Sequence, residues 1–177
     1  DYISAGFSNK FILGQFSASF DKFSAFLNYV GGKDFDNAAN NQLGLTATAT
    51  LSDKFSLGYD GTVKFYNPEG GSSGSWWGSA LYLNVDPTEK FGLTLRGEYF
   101  DDKNGVITYM DEYDDVYPLF GSGIFQTTLS FNIRPHANFM IIPEFRLDSA
   151  EDPIFTKNNG AGVKSTGSFV LAAIFSF

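Results

Sequence analysis

Cysteine is absent from the 177-residue chain, which removes disulfide frameworks, thiolate nucleophiles and cysteine metal sites together. Histidine occurs once, at His136, so a histidine-based zinc site has no basis. Positive charge is scarce. Twelve Lys and Arg stand against 20 Asp and Glu, a net charge of -8, and no basic face is available for a nucleic-acid partner held through counterion release. Long apolar runs are also missing: the longest covers residues 169–175, far below the ~20 residues of a membrane-spanning helix. The chain opens at Asp1 without a basic and then apolar leader, so an export signal is expected to have been removed or left out. Charged residues are 18% of the chain, below the about 25% of ordinary domains.

What the chain has in quantity is aromatic: 20 Phe, 9 Tyr and 2 Trp. Their order carries the signal. Between residues 42 and 51, Leu43, Leu45, Ala47, Ala49 and Leu51 alternate with Gln42, Gly44, Thr46, Thr48 and Thr50. Strict period two with opposite chemistries is the mark of a strand whose two faces meet different surroundings. The pattern returns from Phe55, where Leu57, Tyr59, Val63 and Phe65 oppose Ser56, Asp60, Thr62 and Lys64, and again from Phe91 and Phe125. Weaker copies cover residues 12–20, 23–30, 76–85 and 139–149, and a last strand runs over 166–177. Nine strands are expected, with Pro143 forcing a bulge or a shifted boundary in the eighth because it lacks an N–H.

The strands come in hairpins. Asp21-Lys22-Phe23, Asp53-Lys54-Phe55, Glu89-Lys90-Phe91 and Ala137-Asn138-Phe139 each end a short turn on a phenylalanine that opens the next strand. The other connections, residues 31–41, 67–75, 101–123 and 150–165, are long and rich in Gly, Asn and acids. Tight turns at one end and long loops at the other characterise outer-membrane barrels. Alternation alone leaves a soluble barrel or sandwich open. Two features favour the membrane: the lumen of a narrow barrel has no room for so many bulky side chains, and the opposite face is Ser, Thr, Asn and Gln rather than Lys and Glu. The aromatics therefore belong outside, gathered near strand ends as two girdles (Phe20, Phe23, Phe55, Phe91 and Phe139; Tyr29, Phe65, Trp77 and Tyr99).

The fold class expected is all-β, an antiparallel transmembrane β-barrel built as a meander of hairpins, with residues 1–177 one domain. An odd strand count conflicts with the usual even number. Either residues 2–8 form a short tenth strand, or upstream strands lie outside this sequence and the chain is the C-terminal portion of a larger barrel. Phe169, Leu171, Phe175 and Phe177 end the chain at alternate positions, resembling the terminal signal read by the bacterial barrel-assembly machinery.

Trp76-Trp77-Gly78-Ser79-Ala80-Leu81-Tyr82-Leu83-Asn84-Val85 followed by Phe91-Gly92-Leu93-Thr94-Leu95-Arg96-Gly97-Glu98-Tyr99-Phe100-Asp101-Asp102, with the later Thr128-Leu129-Ser130-Phe131-Asn132-Ile133-Arg134-Pro135 and Pro143-Glu144-Phe145-Arg146-Leu147-Asp148, resembles the OmpL-like beta-barrel porins of the Gram-negative outer membrane. The resemblance covers roughly residues 42–177 and implies passage of small polar solutes or ions through a water-filled barrel. It also implies a lipid bilayer as the surroundings.

By alternation the lumen carries Lys64, Arg96, Arg134 and Arg146 against Asp60, Glu98, Glu144 and Asp148. Such charges either set up a transverse field across a constriction or pair and plug a narrow barrel. Residues 101–123 hold Asp101, Asp102, Asp111, Glu112, Asp114 and Asp115. That run is either a pore loop favouring cations, a divalent-ion site of hard oxygen ligands or, as acid runs usually are, a solvated extracellular loop. No catalytic residue, cofactor site or metal site is assigned: adjacent acids face opposite ways on a strand, and no nucleophile with a base accompanies them. The expectation is a porin and not an enzyme, located in the outer membrane, alone, as a homo-oligomer or in a complex. The alternative is a non-conducting accessory barrel within a larger outer-membrane assembly.

Overall fold

The computed structural model describes residues 10–34, 37–110, 116–118 and 121–176, with backbone only for the short strands at 108–110 and 116–118. Nine long strands form one sheet: β1 (Phe11–Phe20), β2 (Phe23–Lys33), β3 (Ala39–Ser52), β4 (Phe55–Asn67), β5 (Gly74–Thr88), β6 (Phe91–Asp101), β9 (Gly123–His136), β10 (Phe139–Ala150) and β13 (Ser165–Phe175). Four shorter strands make two separate ribbons, β7 (Thr108–Met110) with β8 (Val116–Pro118), and β11 (Phe155–Thr156) with β12 (Gly162–Val163). Every neighbour in the large sheet is antiparallel and next in order along it.

The nine strands and the four two-residue turns fall where period two and the turn residues place them. The strands overrun their sequence limits. β2 reaches Lys33, β3 starts at Ala39 and β5 runs from Gly74 to Thr88, because a ladder of backbone hydrogen bonds continues without regard to side-chain polarity. The long connection after β6 also holds the β7–β8 ribbon, which alternation does not announce. Pro143 differs from expectation. It sits within β10 opposite Leu171 of β13, pairing with β9 skips Ile142 and Pro143 and resumes in the same register, and the irregularity lies between Phe139 and Ile141. The missing N–H interrupts one ladder locally without displacing the strand. Residues 2–8, Asp111, Glu112, Asp114, Asp115 and Phe177 lie outside the described residues.

Register decides the two faces, since directly paired residues share a side. One rung reads Ala18, Ala25, Ala47, Tyr59, Leu81, Gly97, Thr127 and Leu147. The next, on the opposite face, reads Ser17, Phe26, Thr46, Asp60, Ala80, Glu98, Gln126 and Asp148. On the apolar side the only charged positions in the nine strands are Lys33 and Asp101, both at the long-loop end. A cation at mid-bilayer on that face would cost about 2–4 kcal/mol.

Among the described residues no second layer covers the apolar side. Among the described residues only Ala38, Ala80, Ile124 and Ala150 are buried apolar side chains, whereas Phe16 is 72% exposed, Phe20 73% and Phe145 53%. A β-sandwich or soluble barrel would sequester those rings. The fold is therefore that of a transmembrane β-barrel wall, a single all-β antiparallel meander. β1 and β13 are its two edges and do not pair with one another among the described residues.

At the long-loop end, Asp102 is fully buried and its carboxylate accepts hydrogen bonds from the N–H groups of Val106 (2.8 Å) and Ile107 (3.1 Å). Asp102→Asn replaces one acceptor oxygen by a donor that faces another N–H, a loss of about 1–3 kcal/mol. Amide exchange of Val106 and Ile107 is expected to accelerate in that variant while exchange in β5 and β6 stays unchanged.

Candidate pore wall

All eight charges that alternation assigns to the lumen share the polar face, and they are ordered in rungs. Asp60, Glu98 and Asp148 lie on one rung, Arg96 and Arg146 on the next toward the tight turns, and Glu144 on the one after, with Ser130. Arg96 and Arg146 thus each pair along their own strand. The Arg96 guanidinium is 3.2 Å from Glu98, and Arg146 Nε donates to Asp148 Oδ1 at 2.7 Å. Their partly exposed side chains make each pair worth only about 0.2–1 kcal/mol, but each pair is locally neutral. Glu144 Oε2 accepts from the Ser130 hydroxyl at 2.7 Å. Arg134 pairs at 2.8 Å with Asp86 near the tight turns, a partner that alternation does not single out.

Two charges stand apart. Asp60, exposed on β4, and Lys64, half-buried two inward positions away on the same strand, have no ion-pair partner within 4.0 Å among the described residues. Asp60 borders two cavities on the polar face, one with Gln15, Asn28, Gln42 and Thr46, the other of about 360 Å³ with Gln42, Trp76, Tyr82, Arg96 and Glu98. Lys64 borders a third of about 790 Å³, with Asp34, Tyr66, Trp76, Asn104 and Val106. The polar wall is a continuous trough and not a packed interior.

Aromatics are not confined to the outside. Phe26, Tyr66, Trp76, Tyr82 and Phe100 occupy the polar face, contrary to the expectation that every ring meets lipid. Small residues make the room: Gly58 faces Tyr82 and Gly78 faces Phe100, where an added Cβ would come within 3.3 Å of either side chain. The parity of Trp76, Gly78, Ala80 and Tyr82 along β5 carries this signal, since all four align with Asn84 and not with Trp77, Leu81 and Leu83. The outward aromatics do gather toward the ends. Phe20 stacks on Phe23 (6.5 Å) and Phe91 meets Phe131 at a tilt (6.2 Å) beside the turns, and Trp77 meets Tyr99 (5.3 Å) toward the loops.

The acids of the long connection separate by role. Asp102 is a buried clamp of backbone N–H groups, and Asp101 ends β6 on the outward side, 3.6 Å from Lys103. The stretch after Asp102 turns over the polar face: Asn104 Oδ1 accepts from the Ser75 N–H at 3.4 Å, and Val106 and Ile107 border the same cavity as Lys64 and Trp76. Lys103 also lies 3.0 Å from Glu151, which accepts from the Tyr99 hydroxyl at 2.9 Å. These contacts tie the connections after β6 and β10 together. Lys103 first, and then the Tyr99 hydroxyl, hold the Glu151 carboxyl below its usual 4.5, and Glu151 raises Lys103 above its usual 10.5. In the C-terminal strand, Phe169, Leu171 and Phe175 face outward at alternate positions, Phe169 against Phe145 at 4.9 Å.

The beta-barrel porin-2, OmpL-like family model matches residues 1–177. No curated protein matches. Among solved structures, an anion-selective porin from Comamonas acidovorans is similar at a TM-score of 0.70 and 15% identity, over 93% of this chain and 48% of that one. The NanC porin is similar at a TM-score of 0.50 and 14% identity, over 92% of this chain and 73% of that one. The chain thus spans about half the length of the Comamonas porin. At these identities the likeness is one of fold.

Two outcomes follow from this geometry. In bilayers, Trp77 emission is expected to be quenched by brominated acyl chains and Trp76 emission by aqueous iodide, read in single-tryptophan variants; the reverse assignment would invert the sidedness. The Lys103–Glu151 contact contributes fully above pH 4.5, where an unfolded Glu151 is already ionised, and is lost as pH falls through the lowered folded value. At the alkaline end it is full below pH 10.5 and lost as pH rises through the raised Lys103 value. Proteolysis after Lys103 in inserted protein is therefore expected to rise only in acid or strong alkali, and Glu151→Gln is expected to remove the acid limb.

Proposed function

The chain belongs to the beta-barrel porin-2, OmpL-like family, and from that premise we propose that it forms part of a porin wall in the outer membrane of a Gram-negative bacterium, passing small polar solutes or ions by diffusion. The observation that carries this reading is the trough: nine strands present amides, hydroxyls and locally paired charges to a space lined by Asp60, Gln42 and Thr62, while most Phe and Leu side chains face away. Such a surface needs water, and such a back needs lipid. The wall acts as a channel and not as an enzyme. The turn over the polar face at residues 104–107 narrows the path near Lys64, and the acids beyond it, Asp111, Glu112, Asp114 and Asp115, belong to the same connection.

The edges of β1 and β13 would each leave N–H and C=O groups unpaired in hydrocarbon, at several kcal/mol per group. These edges need partners, whether one another on closure, a short strand at residues 2–8, or strands of a longer polypeptide or another subunit, and Phe169, Leu171, Phe175 and Phe177 are the residues presented to the barrel-assembly machinery. Since both arginine pairs on the middle rungs are neutral, selectivity falls to Asp60, Lys64 and the connection after β6.

Purified, inserted protein is expected to give discrete conductance steps in planar bilayers. Asp60→Asn is expected to lower the cation-to-anion permeability ratio roughly twofold at low salt, and less as screening increases. A silent bilayer with correctly inserted protein would favour an accessory barrel instead.

A further inference from the structure

We propose that the polar wall holds a binding site for a neutral pyranose sugar between Trp76 and Tyr82, a substrate class that rests on the porin reading above. Along β5 the inward residues are ring, small, small, ring: Trp76, Gly78, Ala80 and Tyr82. Gly78 and Ala80 form the floor of the 360 Å³ cavity. The Trp76 and Phe100 rings, 5.6 Å apart, form its wall at the loop end. At the other end the Arg96 guanidinium lies over Tyr82, 6.0 Å from the ring centroid, held there by Glu98.

A wall that only passed water and ions would need none of these rings, and each half-exposed ring on this face leaves apolar surface against water that a ligand could cover. A sugar ring offers the matching shape: a flat C–H face for the aromatic wall and an equator of hydroxyls that both donate and accept. The equatorial partners are present. Asp60 and Glu98 accept, and Gln42 and Thr62 do both. Charge narrows the class further. Two carboxylates against one guanidinium leave the cavity negative by one, which disfavours anions, and the Arg96 side chain already occupies the Tyr82 face where a cation would stack.

The test uses the full chain inserted in liposomes. Because the sequence has only two tryptophans, Trp77→Phe on the lipid side leaves Trp76 as the sole tryptophan emitter. Titration with D-glucose is expected to change Trp76 emission saturably at millimolar concentrations, weak enough for release. Sorbitol, with as many carbons and no rigid ring face, is expected to leave it unchanged. Adding Asp60→Ala is expected to raise the half-saturating glucose concentration about fivefold. Equal responses to the two polyols, or none, would overturn the proposal. Should the Trp77→Phe variant fail to insert, equilibrium dialysis of labelled glucose against unsubstituted protein and against Trp76→Ala decides instead: retention by the first and not by the second is expected, and equal retention or none overturns the site. Fluorescence and dialysis read binding in a silent membrane too. Silence in planar bilayers would therefore remove the porin reading alone, whereas conductance without a glucose response would remove only the sugar site.

Discussion

Backbone pairing is the constraint from which the rest follows. In hydrocarbon an unpaired N–H or C=O costs several kcal/mol, so the chain crosses as strands that satisfy one another, and each strand then has two sides in different solvents. Period-two alternation is the chemical consequence. Phe and Leu on one side cost nothing in lipid, while the amides, hydroxyls and charges on the other keep their water. The sheet has almost no buried apolar residue among those described, because lipid, and not a second protein layer, covers the outward face.

The arrangement of the inward charges follows from the same pleat. Residues two apart on a strand share a face about 6.6 Å apart, within reach for an arginine and the next inward acid. Arg96 with Glu98 and Arg146 with Asp148 are pairs of this kind. They cancel locally and leave no long-range field, so neither a plug nor a transverse field follows from the inward charges taken one by one. The local clamps at the loop end, Asp102 on two backbone N–H groups and Lys103 between Asp101 and Glu151, fix where the connection after β6 turns over the trough.

Much of this is legible in the sequence. The four turns, the nine strands and the common face of Asp60, Lys64, Arg96, Glu98, Arg134, Glu144, Arg146 and Asp148 follow from alternation, because parity within a strand is local information. Three things are not. Asp86 sits just before a turn, where parity is broken, and its partner Arg134 lies two strands of sheet away. Trp76, Phe100 and Tyr82 go to lipid with the other rings when hydrophobicity is weighed ahead of parity, and the structure turns them inward. Pro143 keeps its register because the neighbouring ladder on its other side holds.

What the order of residues determined without help was the kind of fold and the solvent on each side, for both depend only on neighbours two positions apart. What tertiary structure alone decided was adjacency across strands: which acid stands on which rung, which ring lies beside which glycine, and where residues 104–107 cross the trough. Those depend on register between segments tens of residues apart in the chain, and register is a property of the assembled ladder and of no single strand.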